Sequence, residues 1–567
     1  MFESNRRSLS LVLGVIFTVA VGAVQAQDPN LCDQPGEEPD LTLGNLTSVF
    51  RFGSANGMTS YSVGSTSCNI GSCWVNWFAT TPDHPVFSQN LFRLSNGRFE
   101  QVGQSWVMHR FFALSSAFCS QDCLPTNGTH LGVDCSSDNS ATVNGAQQYM
   151  GPKSEVNPVT GSFAFPFAGQ GQTGDVLFKR LQVKDAELDP ALNAGALYFI
   201  EGQSVAGDDA AAGNQSNDAS YRQVGVAGAG GIFNLFMIGS TVRERPAIFA
   251  WAANEPTVQL EPVDVPGDGR FLVASQATDL GGGLWHYEYA VQNLGSHRAA
   301  MRLEIPLPPG TGVSGVGFHD VDYHSGEPFD GTDWSFVIES DAAVWATESA
   351  ADNADANALR WGTLYNFRFD ATSPPTTGDL TLGLHRPGIP AEVLVSAIVP
   401  ADCSGASALE VDCTDGSDND CDGLVDCEDP ECCGGGACPG SDGDGDTHLD
   451  CADCDDTSAV VWARPGEAQD LLLARDVTGT LLSWTPPVEP GAETVSYQLL
   501  RSTDASDFVD GTSCLALGDP TATSALDGDD PNSEELYCYL VQATNFCPAG
   551  AGPTGHGQGT TCPEGTD

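Results

Sequence analysis

Between Asp402 and Asp456 the chain carries eighteen Asp or Glu, nine Cys and no Lys or Arg. Carboxylates so crowded repel one another unless a positive ion lies among them. Within that stretch, DNDCDGLVDCED sets Asp418, Asp420, Asp422, Asp426 and Asp429 at positions 1, 3, 5, 9 and 12 of a loop, with Gly423 at position 6. A hard cation taking about six to eight oxygens is served by side chains at 1, 3, 5 and 12, by the Leu424 carbonyl at 7 and by water held at 9. The glycine permits the sharp turn. The chemistry expected here is calcium binding.

A second run, DGDGDTHLDCAD, repeats the spacing with Asp442, Asp444, Asp446, Asp450 and Asp453, and His448 falls where a backbone carbonyl is needed. Thr447 replaces the glycine and is strained at positive φ, so this loop bends differently or binds more weakly. The arrangement is that of the EF-hand calcium loop. Both runs close on Asp, which lacks the reach of Glu for a bidentate last ligand, and this suits weak extracellular calcium better than a cytosolic sensor.

The stretch LEVDCTDGSDNDCDGLVDCEDPECC resembles the bacterial MopE-type metal-binding motif, and SDGDGDTHLDCADCDDTSAVVWARPGEA is similar to its continuation and to thrombospondin type 3 calcium repeats. The resemblance covers residues 402 to about 467 and implies a secreted or surface-exposed metal-binding module within a larger extracellular protein. Copper is disfavoured, since His448 alone supplies an imidazole. A zinc site on Cys413, Cys421, Cys427, Cys451 and Cys454 is the rival reading, because CADC has knuckle spacing. The oxygen-rich surroundings favour a hard ion.

These loops need elements to hold them. Twenty-two basic against 75 acidic residues give a formal charge of −53 over 567 residues, which implies several domains and disfavours nucleic acid and anionic membranes as partners. Arg6 and Arg7 precede the apolar run LSLVLGVIFTVAVGAV, and Val24-Gln25-Ala26 offers small residues before a cut. Residues 1–26 therefore read as a secretory signal, with export from a bacterial cell and no transmembrane span after its removal. Nineteen Cys in an exported chain predict disulfides. Local pairs Cys68–Cys73 and Cys119–Cys123 are expected, with Cys547–Cys562 and Cys514–Cys538 near the end, and the odd count leaves one thiol over.

The fold class expected is all-β, several sandwich-like domains joined by the acidic connector. Residues 27–255 form a β-rich N-terminal domain, 256–401 a β-sandwich, 402–466 the calcium segment and 467–563 a last domain. In WHYEYAVQNL, Trp285, Tyr287, Tyr289 and Val291 share one face, with His286, Glu288 and Gln292 on the other. MRLEIPLP, LRWGTLYNFRF, DLTLGLH and EVLVSAIV follow, predicting an eight- or nine-strand antiparallel sandwich. LLSWTPP, YQLLRS and LYCYLVQATN resemble a fibronectin type III domain. Period-two alternation in these runs makes Trp484, Tyr497, Tyr537, Tyr539 and Val541 candidate inward residues, and the resemblance implies a corner role for Tyr537.

Three further groups invite chemistry. His84, His109 and His130, near Cys119, Cys123, Cys135 and Asp134, suggest copper or zinc, or side chains capping strands. GFHDVDYHSGEPFDGTDW gathers His319, Asp320, Asp322, His324, Glu327, Asp330 and Asp333, either a polar-ligand site or a solvated loop. Trp74, Trp77 and Trp106 stack on sugars if exposed, or fill a core. No nucleophile elbow, zincin pair, P-loop or dinucleotide fingerprint occurs. The reading is a secreted, calcium-binding, non-catalytic protein with an adhesion, matrix or ligand-interaction role toward an extracellular protein or glycan. The alternatives are an enzyme, metal-dependent or glycan-directed, in residues 27–401, and a carbohydrate-binding surface protein.

Overall fold

The computed structural model describes residues 32, 36–109, 113–281, 283–339, 341–402, 413–414, 432, 443–445, 448, 453, 457–463, 465–476, 479–503, 513–515, 517, 519–529, 536–545 and 547. The described fold is all-β, with a few helices of four to six residues. The chain divides into two compact units: residues 1–90, 105–189 and 200–246 form the first, and 91–104, 190–199 and 247–567 the second. Among the described residues no helix is long and apolar enough to cross a membrane.

The first unit is built on the long hairpin Leu41–Ala55 and Met58–Asn69, whose turn is Asn56-Gly57 with φ of 54° and 74°. Asn-Gly accepts positive φ at both central positions, the mirror turn whose twist matches the strands it joins. Leu181–Lys184 adds antiparallel to Met58–Asn69. Elsewhere in the unit, Ala219–Ala229 pairs with Ile232–Met237 and Val75–Asn76 with His130–Leu131.

Its disulfides are not the local ones. Cys32 bonds Cys73, Cys68 bonds Cys119, and Cys123 bonds Cys135. Cys68 is held inside a regular strand, so its thiol is aimed by the pleat and cannot turn back to Cys73. Gly44 stands opposite, where a Cβ would collide with the sulfurs of both Cys68 and Cys119. The bridge needs that missing side chain.

In the second unit a sandwich has two five-stranded antiparallel sheets, ordered Gln259–Asp264, Arg270–Asp279, Trp285–Asn293, Thr363–Ala371, Val313–His319 and Ser335–Ile338, Ala342–Ala346, Ala300–Pro306, Pro375–Leu384, Glu392–Pro400. Tyr287, Tyr289 and Val291 lie in its core beside Trp345, Phe367 and Phe369. The opposite face is also covered: Glu288 and Gln292 are buried. The strand Arg98–Gln104 lies over it, with Gln101 Oε1 accepting the Leu364 N–H at 2.7 Å, Phe99 O accepting from Asn366 Nδ2 at 2.9 Å and Arg98 Nε bonding Glu288 Oε2 at 3.0 Å. Polar alternation here marks a hydrogen-bonded layer, not a wet face.

A smaller pair of three-stranded sheets follows, Gln469–Asp476 with Gly479–Thr485 and Ser524–Asp527, and Ser513–Leu515 with Ser496–Ser502 and Cys538–Thr544. Leu482, Trp484, Tyr497, Leu499, Val541 and Ala543 form its core, with Tyr539 packed against it. Tyr539 donates to Asp527 at 2.8 Å, whereas Tyr537 lies 4.4 Å beneath the Arg501 guanidinium. Cys514 and Cys538 do not pair: Cys538 is a free thiol, and Cys514 is bonded otherwise. Their strands flank the same central strand, so they sit two spacings, about 9.5 Å, apart, beyond the reach of a disulfide. Cys547 is disulfide-bonded; Cys562 lies outside the described residues, as does the signal segment.

Candidate functional site

Of the expected calcium ligands, Asp418, Asp420, Asp422, Leu424, Asp426, Asp429, Asp442, Asp446 and Asp450 lie outside the described residues. Asp444, His448 and Asp453 are described. The His448 ring stacks on Trp462 with planes 3° apart and centroids 5.3 Å apart, which suits a position whose backbone carbonyl, not its ring, is wanted. Gly445 takes φ of 87°, so a left-handed residue falls two places before Thr447. Cys413 is bonded to Cys432, and a thiol so oxidised is no zinc ligand. That bridge spans 19 residues and encloses the whole of the first aspartate loop, 418–429.

The described residues offer one further built site, in the first unit. Helix Gly207–Ala212 begins beside strand Val75–Asn76, and Asp208 Oδ2 accepts the Asn76 N–H at 2.6 Å. Asn76, Asp83, His84, Ser162, Phe163 and Asp208 are among the residues lining a cavity of about 410 Å³, the size of a small-ligand pocket. Burial raises the Asp208 carboxyl above its ordinary value, against the hydrogen bond from Asn76. His84 Nδ1 lies 2.8 Å from the Pro85 carbonyl, to which Nδ1–H donates. Carboxylates, an imidazole, hydroxyls and a phenyl ring together suit a polyhydroxylated ligand.

The three histidines separate. His84 and His109 have ring centroids 6.0 Å apart, and His109 is stacked on Phe167 at 3.7 Å with Phe163 against its edge. Burial first, then the neighbouring His84 and Lys179, pushes the His109 pKa down to about 2. It is a neutral ring in an aromatic wall. His130 stacks instead on Trp74 at 4.1 Å, with Phe78 edge-on at 4.9 Å. Cys119, Cys123 and Cys135 are all in disulfides, and no group of three or more His, Cys, Asp or Glu placed to hold a metal occurs among the described residues.

Trp77 and Trp106 are buried, so neither stacks on a sugar, while Trp74 is half-buried and Phe78 exposed. In the second unit the cluster from His319 to Asp333 is tied down by hydrogen bonds. His324 Nε2 meets the Gln104 carbonyl at 2.8 Å, His319 Nε2 the Gln101 carbonyl at 3.3 Å, and Asp320 bonds Asn357. Missed from the sequence were Asn76 and Asp208. The only signal was the polar run GDDAAAGNQSNDAS at 207–220 between two strand-like stretches.

The chain matches no protein-family model. Teneurin-m of Drosophila melanogaster is 68% identical over 31 residues, 6% of this chain and 1% of that protein. The Streptococcus agalactiae serine-rich repeat adhesion glycoprotein Srr1 aligns over 60% of this chain and 88% of its own, at 6% identity and a TM-score of 0.17, too low for the likeness to carry an argument. The class is defined by the molecule itself: an all-β chain of stacked sheets stapled by disulfides of the kind that form in oxidising compartments.

Proposed function

We propose that this is a secreted or cell-surface, non-catalytic ligand-interaction protein whose connector, 402–466, is organised by calcium. The observation that carries the reading is the Cys413–Cys432 bridge, which frames the aspartate loop 418–429. A covalent ring around self-repelling carboxylates limits how far they separate, and a divalent ion then completes the fold. Calcium in this role is structural, fixing a segment that is otherwise extended by its own charge. The MopE-type and thrombospondin type 3-like resemblance of the sequence points the same way. Small-angle scattering of the full chain tests it. Calcium at millimolar concentration should reduce the radius of gyration relative to chelator, and Asp420→Ala with Asp422→Ala should abolish the change; unchanged dimensions would reject the role.

A second reading, carbohydrate binding, is favoured by the 76–84 segment of the first unit. It contributes Phe78 to the aromatic group with His130 and Trp74, and Asn76, Asp83 and His84 to the polar cavity. Stacking faces beside hydroxyl-bonding groups are what a sugar ring requires. Glycan-array binding that is lost in both Trp74→Ala and Asp208→Ala supports it.

A further inference from the structure

Behind the cavity wall, the same helix carries a second set of oxygens. Asp209 is fully buried and Asp218 is 1% exposed. Asp209 Oδ1 accepts the Leu41 N–H at 2.8 Å, but Asp209 Oδ2 and both oxygens of Asp218 have no donor from any other residue. The two carboxyl groups hydrogen-bond each other side chain to side chain, which holds one proton between them when no ion is bound, with Asp40 and Asp208 adding negative charge nearby. Three more shielded acceptors lie in the same short stretch without a hydrogen-bond partner: Ser204 Oγ, Gln215 Oε1 and Asn217 Oδ1. The Asn217 amide nitrogen is already committed to Asp40 at 3.0 Å. Ser204 N–H donates to the Asp218 carbonyl at 3.1 Å, which seats Ser204 against the second aspartate.

Native folds pair nearly all their buried polar atoms, and an unmatched one costs about 1–3 kcal/mol. Six shielded oxygens within residues 204–218, two of them on one carboxylate, have no donor from another residue, and no cation acts on the Asp209–Asp218 pair. Hard oxygens without thiolate or imidazole select a hard ion, and two carboxylates balance a divalent charge. We propose that Asp209 and Asp218 bind calcium in the first unit, completed by the neutral oxygens of Ser204, Gln215 and Asn217. The site is independent of the connector loops.

The ion fastens the turn 213–218 to the N-terminal strand. Asn214 Nδ2 donates to the Pro39 carbonyl at 2.9 Å and Thr42 Oγ1 to the Asn217 carbonyl at 2.9 Å, so the turn and residues 39–42 already meet. Calcium also fixes Asp209 and with it the adjacent Asp208 in the cavity wall.

Hydrogen exchange of the full-length chain tests this. At neutral pH, about 5 mM calcium should slow exchange in peptides covering 204–220 about tenfold relative to chelator, the factor expected when the ion exceeds its dissociation constant about tenfold. Asp218→Asn should remove that protection, and the connector variant Asp420→Ala with Asp422→Ala should keep it. The proposal is overturned by wild-type exchange that ignores calcium, by protection retained in Asp218→Asn, or by protection lost in the connector variant. Magnesium giving the same protection as calcium would also overturn the assignment of the ion.

Discussion

Two ionic centres buried in the first unit have opposite sign and are completed in opposite ways. Lys179 is fully buried, and its ammonium donates to the carbonyls of Gly169, Gln147 and Gln172 at 2.6, 3.1 and 3.2 Å. Trp106 and Phe178 present ring faces at 5.2 and 5.1 Å. Three N–H protons meet three carbonyls, so the cation is satisfied from within the chain. Asp209 and Asp218 face each other with no such complement. With only three Lys in the chain, two of them, Lys153 and Lys179, are spent as buried structural cations. The buried anions draw their counter-charge from outside, which makes the aspartate centre conditional on an ion, whereas the lysine centre is permanent below the pKa of about 8 to which burial lowers Lys179.

Removing the permanent centre should be the most damaging change. Lys179→Ala leaves three buried carbonyls without a donor and a cavity besides, and should cost about 4 kcal/mol in denaturant unfolding of the first unit. Lys179→Met restores the volume but not the donors, and should recover only the packing share. If Met were as stable as wild type, the carbonyl cage would count for nothing.

The conditional centre should respond to solution. Burial pushes Asp209 up to about 7, with Asp40 and Asp208 adding to it and hydrogen bonds from the Leu41 N–H and Asp218 opposing, while burial and then the Asp209 charge push Asp218 upward too. A carboxyl whose folded pKa exceeds its unfolded value of 3.8 holds its proton in the folded state longer than in the unfolded one. In chelator, the stability of the first unit should therefore be highest below pH 4 and fall as pH rises through about 7. With calcium present the fall should flatten, and melting curves across that range measure both. At neutral pH, calcium at about ten times its dissociation constant adds about 1.4 kcal/mol. Asp218→Asn should lose that gain and, in chelator, flatten the fall of stability with pH, since an amide donor to Asp209 then stands where a bound proton was needed.

How much of this was legible follows from the physics of each feature. Strict alternation in 285–293 disclosed the all-β class and the inward tyrosines, because period two is a local property. Burial of Glu288 and Gln292 was hidden, since the covering strand Arg98–Gln104 is remote in sequence. The aspartate loops rest on ligand spacing within twelve residues, a local property of the sequence, and most of their ligands lie outside the described residues. Asp209 and Asp218 stood in an unremarkable polar turn, and only the fold, bringing Leu41 and Asp40 against them, turns that run into a desolvated anionic centre. Disulfide partners failed for the same reason: Cys68 and Cys119 meet across a strand pair at Gly44, not along the chain.

The smallest effect serves as the control on the lysine half of the comparison. Lys184 follows Lys179 by five residues, at the exposed end of strand Leu181–Lys184, where it is the residue before the short helix Asp185–Leu188. An exposed ammonium keeps its hydration, and charges near it are screened by solvent, so its removal forfeits little. Lys184→Ala should change unfolding by no more than about 0.5 kcal/mol, with no altered response to calcium. A loss approaching that of Lys179→Ala would mean that positive charge anywhere in this acidic unit is what stabilises it, through relief of long-range repulsion, and raising the ionic strength should then erase the loss. Indifference to Lys184 and to salt, beside a large loss at Lys179, assigns the effect to the three carbonyls and the burial around them.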